Sequence, residues 1–145
     1  MLLQESQVLD LRVDLLRSTA AILLELRAAF DHLTGNTAVM VLRGAGAVRW
    51  MVADEVGEPL TAWAVVGASI RQLTGGFEVS LGLSPNAELM VTAQALEYYS
   101  LEANVGEVIP DYTIDSEETI RSAVAGWESI ATPREFSSLA LTKSE

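Results

Sequence analysis

Two adjoining stretches, LDLRVDL at residues 9–15 and TAAILLELRAAFDHL at residues 19–33, decide whether the chain opens as sheet or as helix. In the first, Leu9, Leu11, Val13 and Leu15 alternate with Asp10, Arg12 and Asp14, the two-residue period of a half-buried strand. A helical reading competes. Val8, Leu11, Leu15, Ile22 and Leu26 fall along one side of a continuous helix, and leucine and aspartate are weak strand formers. Alternation prevails, and residues 9–15 read as a strand. In the second stretch Ile22, Leu23, Leu26, Ala29, Phe30 and Leu33 share a helical face, with Glu25, Arg27, Asp31 and His32 opposite. Ser18 serves as an N-cap and Gly35 as a left-handed terminator. Residues 19–33 therefore read as a helix that buries Leu23, Leu26, Phe30 and Leu33 against a sheet.

Beyond Asn36 the period becomes two. Residues 36–42 are apolar on both sides, as in a strand covered on both faces, and Gly44-Ala45-Gly46 interrupts the run. Residues 47–53 and 60–70 read as strands around the polar turn 54–59. A symmetric hairpin there sets Trp50 opposite Trp63, Val52 opposite Thr61 and Val48 opposite Val65, as an aromatic cross-strand pair. A second hairpin turns at Ser84-Pro85-Asn86 and pairs Leu81 with Leu89 and Val79 with Val91. Residues 96–101 suggest another strand and residues 104–115 a loop. Ser116-Glu117-Glu118-Thr119 opens a helix, with a capping hydroxyl and acids in the first turn. The expected fold is α+β: one globular domain over 1–145, with an antiparallel sheet of about six strands packed on the 19–33 helix and a short C-terminal helix at 116–130.

Charge is the most uneven property of the chain. Between Arg71 and Arg121 there is no lysine or arginine, while Glu78, Glu88, Glu97, Glu102, Glu107, Asp111, Asp115, Glu117 and Glu118 are all acidic. Most of the formal charge of −11 belongs to that stretch. Such a field attracts a basic protein and repels nucleic acid and anionic lipid. One lysine and eight scattered arginines offer no phosphate-binding surface, and no apolar run approaches the roughly 20 residues that span a bilayer. The absence of cysteine removes disulfides and thiolate chemistry, and it suits a cytoplasmic location.

The usual constellations of catalysis do not assemble from these residues. The single histidine, His32, sits on the polar face of the expected helix beside Asp31, and adjacent helical residues do not face each other. Arg43-Gly44-Ala45-Gly46 lacks the third glycine of a dinucleotide fingerprint and the lysine of a P-loop. The acids Asp54, Glu55 and Glu58 lack EF-hand spacing, so neither a metal nor another cofactor is expected. Non-enzymatic binding is the expected function, chaperone-like or inhibitor/immunity-like. Glu97, Tyr99, Glu102, Glu107, Asp111 and Asp115 form the contact region for a basic protein, with a homodimer as a further partner. Two alternatives stand beside it: a small-molecule binder with an apolar pocket between sheet and helix, and an enzyme relying on carboxylates.

Overall fold

Buried residues recur at every second position in several stretches, most clearly 76–84 and 87–93, and the computed structural model, which describes residues 5–27, 35–53 and 62–140, is built mainly from strands. In chain order they are β1 (Gln7–Asp14), β2 (Thr19–Glu25), β3 (Thr37–Arg43), β4 (Val48–Val52), β5 (Trp63–Leu73), β6 (Gly76–Ser84), β7 (Ala87–Ala93), β8 (Ala95–Ala103) and β9 (Ala131–Ala140). The helix α1 (Glu117–Ala123) lies between β8 and β9. All nine strands join one antiparallel sheet in the order β4-β7-β6-β5-β1-β2-β3-β8-β9.

The sheet folds over on itself. Register places Leu89, Leu81 and Val65 on the same face as Ile22, Met40 and Leu96, and these residues make one buried cluster. A single face can bury itself only by closing like a book. The ends of the closure are hydrogen-bonded as well. β7 and β3 stand five places apart in the strand order, yet Gln94 N–H donates to Arg43 O at 2.9 Å. The fold line is narrow: β1 and β5 share only the pairs Gln7–Ala64 and Val8–Trp63, beside a register shift between Val8 and Asp10. One half is β4-β7-β6-β5 and the other β1-β2-β3-β8-β9.

This architecture corrects the α+β expectation. Residues 19–25 are β2, paired with β1 and β3, and no helix 19–33 exists for the sheet to pack on. The reason is burial on both faces. Ala20, Ile22 and Leu24 face the interior, while Leu23 and Glu25 are buried on the opposite side under the β8–β9 connection. With both sides covered, hydrophobicity loses its two-residue period and the apolar positions fit a helical wheel equally well. Phe30, Leu33, His32 and Asp31 fall in 28–34, outside the described residues, as does the 54–59 turn. Gly35 does take the left-handed φ expected of it, +84°, but at the entry to a strand; a Cβ there would stand 2.6 Å from Leu101 O.

The C-terminal helix is shorter than 116–130. It ends at Ala123, and the chain then forms β9, a strand the sequence pattern did not reveal. Residues 132–139 of β9 are all exposed and it contains Pro133, so it shows neither alternation nor the composition of a covered strand. The expected strands at 9–15 and 36–42 and the hairpin turning at Ser84-Pro85-Asn86 are present, as β1, β3 and β6–β7. In β6 and β7 Leu81 pairs Leu89 and Val79 pairs Val91, Leu89 is buried and Glu88 exposed.

The Trp50–Trp63 hairpin requires a different explanation. β4 pairs with β7, with Trp50 opposite Leu89, and β5 pairs with β6 and β1. The two indoles nevertheless meet edge to face, with centroids 5.1 Å apart and planes at 82°. Both project from the interior face, and the curvature of the sheet brings its first and fourth strands within ring contact. The aromatic pair was foreseen, but it is not a cross-strand neighbour pair.

Candidate functional site

The connection between β8 and β9, residues 104–130, lies against the outer face of β1 and β2 and carries three of the six candidate residues. Its local structure follows from short-range hydrogen bonding. Asp111 accepts from the Thr113 N–H at 2.9 Å and from its hydroxyl at 2.6 Å, and Asp115 accepts from the Asp111 N–H at 2.9 Å. These bonds hold the Asp111 carboxyl below its ordinary range, the Thr113 hydroxyl contributing most. Ser116 caps α1 through the Thr119 N–H at 3.2 Å, Glu117 and Glu118 occupy the first turn, and Arg121 bonds Glu117 at 2.9 Å one turn later.

A buried ion pair anchors this segment to the sheet. Glu25 is 0% exposed and accepts from Arg27 Nε at 2.7 Å and from a terminal nitrogen at 3.2 Å. The rest of the Arg27 fork donates to Gly106 O at 2.6 Å and Ala123 O at 2.8 Å. One guanidinium therefore grips both ends of the segment, which also bond to each other through Gly106 N–H and Ala123 O at 3.1 Å. Asn36 contributes a second clamp, accepting from the Ala103 N–H at 2.9 Å and donating to Ala103 O at 3.0 Å and Glu102 at 3.1 Å. Ile120 and Ala125 supply the apolar underside against the sheet. Farther along, Trp127 donates to Asp10 at 2.7 Å while the Arg12 guanidinium lies 4.9 Å from its ring centroid. The sequence pattern had assigned Glu25 and Arg27 to a solvated helix face. The only local signal of their role was a charge pair two residues apart within an apolar run.

The outward side is acidic and apolar at once. Glu102, Glu107, Asp111, Asp115, Glu117, Glu118 and Glu128 are exposed, and Arg121 is the only cation between residues 102 and 130. Val108, Ile114 and Ile130 stand among them about four-fifths exposed, at 78%, 80% and 84%. Glu107 and Asp115 share an open groove of about 420 Å³ with Val108, Pro110 and Thr119. A smaller pocket, about 220 Å³, lies between the end of α1 and the outer face, lined by Leu9, Asp10, Leu23, Arg121, Val124 and Trp127.

The six candidate residues therefore divide into groups. Glu107, Asp111 and Asp115 belong to the acidic segment, and Glu102 stands at its root. Glu97 and Tyr99 lie on the outer face of β8 in a separate cluster. There Glu97 forms an ion pair with Arg43 and accepts from the Tyr99 hydroxyl at 2.9 Å, while the Tyr99 ring packs on Phe136 with centroids 5.0 Å apart. These bonds lower the Glu97 carboxyl, Tyr99 most and Arg43 next, and raise the Arg43 guanidinium. Part of the acidic charge thus pairs with cations of the sheet, since Glu78 likewise bonds Arg71 at 3.0 Å. The remaining exposed acids concentrate on the 102–130 segment.

All three tyrosines titrate above the ordinary value of 10.0: Tyr98 and Tyr112 because burial disfavours the phenolate, and Tyr99 chiefly through its bond to Glu97. A raised folded-state value means stability that is intact below pH 10 and is lost as pH rises above it. Ultraviolet titration is expected to show less phenolate at pH 10 than free tyrosine, which is half ionised there, with the remainder appearing as pH rises further. Half-ionisation at pH 10 in a folded protein would contradict the placement of these rings.

Among the described residues no helix is long and apolar enough to cross a membrane, and no three His, Asp or Glu side chains converge as a metal-ligand set. The fold and the segment it carries define an all-antiparallel β domain with an acidic, aliphatic-studded loop and helix on one outer face. Comparison with protein-family models, curated proteins and solved structures finds no match to the chain.

Proposed function

We propose that this protein is a non-enzymatic partner-binding domain, chaperone-like or inhibitor/immunity-like, that docks a basic protein on its 102–130 segment. One observation carries the reading: exposed acids and exposed aliphatics are interleaved on a segment held in one shape by Arg27 and Asn36. Acids steer a cationic partner, and Val108, Ile114 and Ile130 provide the apolar contacts that retain it. An acidic surface serving solubility alone has no need of aliphatic side chains in its midst.

The test begins with capture from the native cell at low and moderate salt, which supports the reading if the retained proteins are basic and salt-sensitive. The triple substitution Glu107→Gln, Glu118→Gln and Glu128→Gln leaves the turn-forming Asp111 and Asp115 intact. It is expected to slow association with a captured partner about tenfold at low salt while changing dissociation little, because rim charges act on encounter. Equal association rates for the variant and the parent protein would refute the role of the segment. A second reading rests on the 220 Å³ pocket beside Trp127, which would take a small molecule and quench or shift that indole's fluorescence on binding.

A further inference from the structure

The two edges of the sheet are built differently. The edge at β9 carries Pro133, which has no N–H to offer, followed by Arg134 and Glu135, the devices that discourage a further strand. The edge at β4 is Val48-Arg49-Trp50-Met51-Val52, with one charge and no proline. Its four apolar residues are 38–45% exposed. Residues 35–53 contain no acid and two arginines, and the acid nearest the edge in the ladder is Glu88 of β7, opposite Met51.

The backbone of β4 fixes which groups face outward. Thr92 N–H donates to Ala47 O and Ala53 N–H to Asn86 O, both at 2.9 Å. Residues 47, 49, 51 and 53 therefore turn their polar groups toward β7, and by antiparallel alternation Val48, Trp50 and Val52 present theirs to the open edge. The geometry points to a second copy of this chain as the occupant: two β4 strands pair antiparallel across a two-fold axis at Trp50. Val48 then faces the partner copy's Val52, and each Arg49 faces a Met51 rather than the other arginine. The edge is self-complementary in hydrogen bonding and sets no like charges directly opposite each other, as a two-fold contact requires. A five-residue strand offers about 17 Å of edge, so the dimer belongs at the weak, reversible end of interfaces.

Sedimentation velocity over rising concentration at 0.01 M and 0.15 M salt tests the pairing. Dimer is expected to appear in the micromolar range and to tighten with salt, because screening relieves repulsion between two copies of charge −11. Docking of a basic partner weakens with salt, so the two associations respond with opposite signs. Met51→Glu places a carboxylate opposite Arg49 twice per dimer and is expected to tighten it about tenfold; Met51→Lys is expected to loosen it about tenfold. Residue 51 is exposed in the single chain and pairs with Glu88 of β7, so an effect on the strand's own stability would favour lysine over glutamate, the reverse of the order expected for the dimer. A protein that stays monomeric to about 1 mM at 0.15 M salt, or variants that move the dimer the same way, would overturn the pairing.

Discussion

Arg27→Ala is expected to destabilise the protein by about 3–5 kcal/mol, seen as a lower urea midpoint with little change in slope. The effect arises from what the substitution leaves behind. Glu25 is fully buried, and both its carboxylate oxygens bond the guanidinium, whose side chain is itself only 15% exposed. Removing the cation strands a carboxylate without its partner, and it also frees the carbonyls of Gly106 and Ala123. Arg27→Lys keeps the charge but cannot reach the carboxylate and two carbonyls with a planar fork, so a loss between those of the parent and the alanine variant is expected. Pairing Arg27→Met with Glu25→Gln should recover much of the stability, because two neutral residues no longer incur the cost of an unpaired buried charge. Amide exchange localises the effect: protection should fall first across 104–124 in Arg27→Ala. A loss below about 1 kcal/mol would mean that the segment is held by its apolar underside alone.

Leu89→Ala is expected to cost about 2–5 kcal/mol. Leu89 is 1% exposed, pairs directly with Leu81, and sits where the two halves of the folded sheet press together. Neighbouring strands fix its backbone on both sides, since β7 lies between β4 and β6, so the cavity has little room to collapse. Leu16→Ala provides the contrast. That side chain is 99% exposed in the β1–β2 turn, and its loss should alter stability by less than about 0.5 kcal/mol. Chemical denaturation of the two variants separates the core from the turn; similar losses would contradict the placement of one or the other.

What the sequence reveals depends on how many faces of a strand are covered. β6 and β7 have a solvated outer face, so Glu78, Ser80 and Glu88 alternate with leucines and valines, and both the strands and their register are readable. β2 lies beneath the 104–130 segment and is buried on both sides, so its pattern fitted a helix and Glu25 was placed in solvent. β9 is covered on too little of either side to show a pattern. Pairing between sequence-distant strands was not readable: nothing local to Val48–Val52 shows that it joins β7 rather than β5. The acidic stretch itself was plain in the sequence. Its division between Glu97, neutralised by Arg43, and the segment beyond Glu102 required the fold, because Arg43 lies 54 positions away.

The narrow seam between β1 and β5 also bears on how the chain reaches its native state. The runs β1–β2–β3 and β5–β6–β7 each pair strands that are consecutive in the chain, so each can zip locally. Joining the halves requires Val8 to find Trp63, and completing each half requires Val48 to find Val91 and Thr37 to find Leu101, all contacts that close long loops before burial rewards them. Such topology belongs to chains that fold in milliseconds to seconds rather than microseconds. Until the halves meet, their interior faces are exposed together, and two copies in that condition can exchange halves across the same short seam. Cellular concentration and the speed of that one closure thus govern whether the chain emerges alone or entangled with a twin.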